Sequence, residues 1–139
     1  MPTIGQPAPD FELPNQDGQP VKLSGFRGKK VILFAFPKAD TPGCTTQACG
    51  LRDQFPKIEA GNAVVLGISP DAPPDLLKWK QKQSLPYDLL SDPDHRVLEA
   101  WGAWGEKTNY GKTYMGVIRS HWVIDENGVL ADEQLKVTP

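Results

Sequence analysis

Two short apolar runs, Val31 to Phe36 and Ala63 to Ile68, do most to limit what this chain can fold into. Neither alternates with polar residues, so each reads as a central strand covered on both faces, as in the parallel part of an α/β sheet. Helix signals follow both runs. Thr41 suits the N-cap and Pro42 the first helical position. A helix from there is expected to reach about Phe55 and to end at Pro56, whose ring clashes with the preceding turn. A second helix is predicted over Pro74 to Gln83, with Asp71 or Asp75 near its start.

The rest of the chain supplies shorter pieces. Phe11 to Leu23 predicts a hairpin turning at Asn15-Gln16-Asp17-Gly18. Asp88 to Leu90 predicts a short strand, and Asp94 to Trp101 a short helix before Gly102. Met115 to Asp125 reads as one long β run, with Glu126-Asn127-Gly128 turning into a strand from Val129 onwards. Strands and helices in alternation, then a closing hairpin, predict an α/β domain in three layers. The 14 prolines and 13 glycines are spread between these segments without repeat or linker, so residues 1–139 are expected to form a single domain.

At 139 residues, 39% hydrophobic and 23% charged, the composition is that of a soluble globular domain. The formal net charge is −2 with no basic stripe, which excludes a nucleic-acid footprint. The longest apolar run, Val31 to Phe36, is too short to span a bilayer, so no membrane is expected as a partner. Met1 to Gln6 has no charged start before an apolar core, hence no secretory signal, and a cytoplasmic protein is expected.

Only two cysteines occur, Cys44 and Cys49. Too few for a disulfide scaffold, they point to redox chemistry or metal binding. Cys44 falls in the first turn of the predicted helix, where backbone N–H groups lack intrahelical partners and the helix dipole is positive. Both features favour the thiolate, the attacking form of sulfur. Gly43 leaves room for a small ligand to approach the backbone, and Thr41 can turn its hydroxyl toward the same space.

Four other readings compete. Either cysteine can serve as a small buried hydrophobe, and Cys49 adjoins an apolar face of Ala48, Leu51 and Phe55. Zinc wants cysteines two to four residues apart plus two more ligands, yet His95 and His121 form no paired motif, so no metal and no other cofactor is expected. A disulfide oxidoreductase acting on protein thiols would use Cys-x-x-Cys, a shorter spacer than the one here. A binding module with inert cysteines would show no enhanced thiol reactivity.

Geometry constrains the pair. Residues five apart on a regular helix have Cα atoms roughly 8 to 9 Å apart, whereas a disulfide needs about 4.4 to 6.8 Å. Cys44 and Cys49 can therefore bond only if the first turns unwind. Arg119, inside the apolar sequence Val117 to Ile124, needs an anionic partner or a polar cleft, unless it lies on an edge strand with its head in solvent. His121, two residues on, shares that strand face and is read as structural.

Pro37-x-x-x-Thr41-x-x-Cys44 resembles the peroxiredoxin active-site signature, and Thr41-Pro42-Gly43-Cys44-Thr45-Thr46-Gln47-Ala48-Cys49 resembles the bacterioferritin-comigratory, or Q-type, branch. Gly5-x-x-Ala8-Pro9-Asp10-Phe11, Asp92-Pro93-Asp94-His95, Trp104-Gly105-Glu106-Lys107 and Gly116-Val117-Ile118-Arg119-Ser120 extend the likeness over nearly the whole chain. The resemblance implies a thioredoxin-like fold with a central mixed sheet and an N-terminal hairpin. It also implies a monomeric thiol peroxidase of antioxidant defence, reducing hydrogen peroxide and organic hydroperoxides. Cys44 would be the peroxidatic nucleophile and become a sulfenic acid. Cys49 would resolve it to a Cys44–Cys49 disulfide, which thioredoxin or a similar dithiol reopens. Thr41 would hydrogen-bond thiolate and peroxide, Pro37 would shield the sulfur from water, and Arg119 would stabilise the developing charge. With Gly43 these residues would line the substrate site. Phe36 stands where many relatives carry Tyr, His121-Trp122 replaces a common Thr-Phe, and a further helix is expected after Pro139 in relatives.

Overall fold

The computed structural model describes residues 2–137. Thr138 and Pro139, where the further helix of relatives is expected to follow, lie outside the described residues. In chain order the elements are β1 (Glu12–Pro14), β2 (Pro20–Lys22), a 3-10 turn (Leu23–Phe26), β3 (Lys30–Ala35), α1 (Pro42–Ala60), β4 (Ala63–Ser69) and α2 (Pro73–Gln83). They continue as β5 (Asp88–Ser91), α3 (Arg96–Ala100), β6 (Trp104–Asn109), β7 (Lys112–Val117), β8 (Ser120–Ile124) and β9 (Leu130–Gln134).

A five-stranded sheet in the order β5-β4-β3-β8-β9 forms the centre. β3, β4 and β5 run parallel, while β8 lies antiparallel to β3, and β9 to β8. The sheet is mixed and flanked by helices, as the family resemblance implies. β3 shows why its sequence lacks alternation. Val31, Leu33 and Ala35 enter one core with Leu66, Trp101 and Trp122, whereas Phe34 and Phe36 enter the other with Trp79, Leu76 and Tyr87. The second core is closed by α1 through Cys44, Ala48, Leu51 and Phe55, and by α2 through Leu76 and Trp79. Gly67 of β4 makes room for it: a Cβ there would stand 2.8 Å from Leu89 and 2.9 Å from the Phe34 ring.

The 11–23 hairpin forms as expected, with Asn15 Oδ1 accepting the Asp17 and Gln19 amides. The Asp125–Val129 turn likewise closes on Asp125 Oδ1, and Gly128 takes the positive φ it requires, 78°.

Three expectations need correction. Pro56 does not end α1, which runs on to Ala60. The proline removes one backbone bond, but Phe55 and Ile58 pack on the second core and hold the last turn in place. The β run expected from Met115 to Asp125 is broken at Ile118 and Arg119 into β7 and β8. β7 pairs instead with β6, through a tight turn in which Tyr110 and Gly111 both have positive φ (52° and 78°). The short helix before Gly102 begins at Arg96 rather than Asp94, because Asp92 draws the chain into a turn first. Its carboxylate accepts the Leu98 amide at 2.8 Å and its carbonyl accepts the His95 amide.

Candidate active site

The segment between β3 and α1 is tied down before it reaches the first cysteine. The Ala39 amide donates to Asp71 Oδ2 at 2.8 Å, and Ser69 Oγ donates to the same oxygen at 2.8 Å. Asp71, expected near the start of the second helix, therefore secures the cysteine loop to the end of β4. Asp40 has a φ of 62°, which turns the chain into the helix.

Thr41 occupies the N-cap position with an extended backbone, and its carbonyl accepts the Thr45 amide at 2.8 Å. Its hydroxyl does not cap the helix as expected. It donates to the Lys38 carbonyl at 2.7 Å, leaving the first-turn amides unclaimed by a side chain. Those of Gly43 and Cys44 belong to the positions for which a helix offers no acceptor. Pro42 stands at the helix start and Pro37 is half-buried just beyond β3.

Cys44 is 1% exposed and unpaired. Arg119 Nη2 donates to its Sγ at 3.3 Å. Arg119 stands in the two-residue break between β7 and β8 rather than within a strand, so its side chain crosses to α1. Its second arm, Nη1, donates to Gln47 Oε1 at 2.6 Å. The fork thus grips two groups one turn apart on α1, a geometry for which lysine has no equivalent. Gln47 is 6% exposed and its Nε2 lies 2.8 Å from His121 Nε2. Trp79 Nε1 donates to Thr45 Oγ1 at 3.2 Å, placing an indole beside the same turn.

Lys107 completes the electrostatics. Burial holds its ammonium below the usual lysine range, repulsion from Arg119 adds to this, and the Cys44 sulfur works against both. Burial likewise pushes the His121 imidazole down, helped by Arg119.

Cys49 is half-buried and also unpaired. Its thiol donates to Gln83 Oε1 at 3.5 Å, while Arg52 Nη1 donates to the Gln83 carbonyl at 2.8 Å. Tyr87 lies near; its hydroxyl donates to the Ala48 carbonyl at 2.7 Å, and burial raises it well above the usual phenol range. Because α1 is continuous from Pro42 to Ala60, the two sulfurs stand apart on an intact helix.

Of the residues singled out in the sequence, Thr41, Gly43 and Cys44 share one helix end that Arg119 reaches across the fold, Pro37 stands just beyond β3, and Cys49 lies farther along the same helix. Gln47 and Lys107 join the site with no such signal of their own. Gln47 could be inferred from its place three residues beyond Cys44, hence on the same helix face. Lys107 gave none beyond its motif.

The AhpC/TSA family model matches residues 4–133. A putative peroxiredoxin Bcp of Haemophilus influenzae is 52% identical over 128 residues, 92% of this chain and 83% of the relative. The peroxidoxin BcpB structure from Mycobacterium tuberculosis superposes with a TM-score of 0.86 at 34% identity, over 99% of this chain and 89% of that one. A structure of the Xanthomonas campestris bacterioferritin comigratory protein, reported for its alkyl peroxide reduction activity, gives 0.87 at 27% identity over 92% and 82%. The chain belongs to the AhpC/TSA family and, within it, to the bacterioferritin-comigratory or Q-type peroxiredoxins, and it is a thiol peroxidase.

Proposed function

We propose that Cys44 attacks hydroperoxides, that Cys49 resolves the product, and that a thioredoxin-type dithiol restores both. The observation that carries this reading is the guanidinium of Arg119 at 3.3 Å from a buried sulfur in the first turn of α1. A preorganised donor in a site shielded from water stabilises negative charge both on the resting thiolate and as it passes to the leaving oxygen.

In the first step the Cys44 sulfur attacks the terminal peroxide oxygen. The O–O bond breaks, the sulfur becomes a sulfenic acid, and the remaining oxygen leaves as water or alcohol after taking a proton. The Thr41 hydroxyl rotates from the Lys38 carbonyl to steady the bound peroxide, while Pro37 keeps bulk water out and Gly43 admits the substrate to the backbone. In the second step α1 opens, the Cys49 sulfur attacks the Cys44 sulfur, and hydroxide leaves as water after taking a proton. The disulfide is then reduced by exchange with the external dithiol.

Hydrogen peroxide and organic hydroperoxides are both substrates in this reading, the latter in keeping with the Xanthomonas campestris relative. The protein works as a monomer, since both sulfurs lie on one helix and resolution needs no second chain. Trapping tests the assignment: peroxide followed by a sulfenic-acid reagent should label Cys44 in the Cys49→Ser variant, and the unaltered protein should yield the disulfide instead. Labelling of Cys49 in a Cys44→Ser variant at the same rate would reverse the roles.

A further inference from the structure

The contacts of Arg119 set a hydrogen-bond direction that continues past the sulfur site. A guanidinium has donors only, so the Gln47 atom 2.6 Å from Arg119 is the amide oxygen. The Gln47 nitrogen therefore faces His121 Nε2, 2.8 Å away. That NH2 group also donates only, so Nε2 must accept, and the ring is neutral with its proton on Nδ1. Burial and the nearby charge of Arg119 both favour the neutral ring.

We propose that His121 is a positioning residue for Arg119: neutral, it holds Gln47 in the orientation that accepts from the guanidinium, and protonated, it releases Arg119 from its place at Cys44. The consequence for catalysis rests on the reading of Cys44 as the peroxidatic sulfur. An imidazolium presents an N–H at both nitrogens. Its Nε2–H would point at the Gln47 NH2, donor against donor. Turning the amide over repairs that contact but aims the NH2 at Arg119. Either way the guanidinium loses its buried acceptor.

The groups around His121 leave this logic intact. Arg119 approaches from the break before β8, with Lys107 of β6 beyond it, and Cys44 stands behind Gln47 on α1. From β3 the neighbour in register is Phe34, which carries no charge. From β9 the neighbour is Gln134, and Asp132 two residues away is exposed and bonded to Gln134. Threonine at this place would offer an accepting hydroxyl that does not titrate in this range. Proton sensitivity is thus tied to the histidine this chain carries.

The test combines a spectrum and a rate. In 15N-labelled protein at about pH 7.5 the His121 ring should be neutral with Nε2 unprotonated, and its titration should move the Arg119 side-chain N–H resonance in step. A ring protonated on Nε2 at that pH, or an Arg119 signal indifferent to the titration, overturns the proposal with no variant needed. The rate constant for oxidation by hydrogen peroxide is then compared with that of His121→Thr. Whatever its absolute value, the ratio of native to variant should fall about tenfold between pH 7.5 and pH 5, the scale of a lost buried hydrogen bond to a charge. A constant ratio would also overturn it. If neither protein reacts faster than a free thiol, the peroxidatic reading fails, and the spectrum alone decides whether His121 positions Arg119.

Discussion

Cys44 is 1% exposed and accepts a hydrogen bond from Arg119, 75 residues along the chain. Cys49, on the same helix, is half-buried and donates its own thiol proton to Gln83. The contrast sets the two sulfurs of one helix in different surroundings, in keeping with the different tasks proposed for them. At Cys44 the surroundings supply a donor, the Arg119 guanidinium. At Cys49 the surroundings supply an acceptor, the Gln83 side-chain oxygen. The first setting depends on the packing of β6, β8 and α1 together. The second depends on the junction where Arg52 ties α1 to the end of α2.

If the intact helix is what separates the two sulfurs, oxidation must cost it structure. Amide exchange between Cys44 and Arg52 should accelerate by about a thousandfold in the disulfide form, while β3 and β4 stay protected. Equal protection in both redox states would show that the bond forms without unwinding. Removing the donor at Cys44 should weigh next. Arg119→Ala should slow peroxide attack about a hundredfold, the usual scale for a lost preorganised donor. Arg119→Lys should recover only part of this, because an ammonium cannot grip the sulfur and Gln47 at once. Full recovery by lysine would reduce the contribution to simple charge.

Gln47→Ala leaves the Arg119 fork with one arm unpaired in a buried site. Peroxide attack should fall about tenfold, with the later disulfide-forming step unchanged. A loss confined to the later step would place Gln47 with Cys49 instead. The smallest effect concerns stability. Since burial, with Arg119, depresses the His121 pKa below its ordinary value of 6.5, the unfolded chain binds more protons there than the native one. The stability conferred by the neutral ring is complete above pH 6.5 and is lost as pH falls below it. Urea unfolding should show native protein losing ground to His121→Thr over that window, whereas parallel curves would contradict the shift.

How much of this could be read from the chain depended on where the determining contacts lie. The strands at Val31 and Ala63, the hairpins at Asn15 and Asn127, and the cysteine at a helix start are local patterns, and each is present. Pro56 misled because a local breaker was overruled by the packing of Phe55 and Ile58. The β6–β7 hairpin was invisible because Lys107, Thr108, Lys112 and Thr113 give it no apolar alternation, and its turn carries Tyr110 where asparagine or glycine would have marked it. Arg119 stood out as a charge among apolar neighbours. Gln47 did not, since its importance arises from two partners brought in across more than 70 residues. The Thr41 hydroxyl does not cap α1 for a similar reason: the turn of the loop offers it the Lys38 carbonyl.

The division of labour between the two cysteines is tested most directly by single-turnover oxidation of the reduced protein with hydrogen peroxide, followed by tryptophan fluorescence; Trp79, bonded to Thr45, is placed to report it. Two phases are expected. The first should scale with peroxide concentration and vanish in Cys44→Ser; the second should be independent of peroxide and vanish in Cys49→Ser. Oxidation no faster than that of a free thiol, or a first phase that survives Cys44→Ser, would contradict the account.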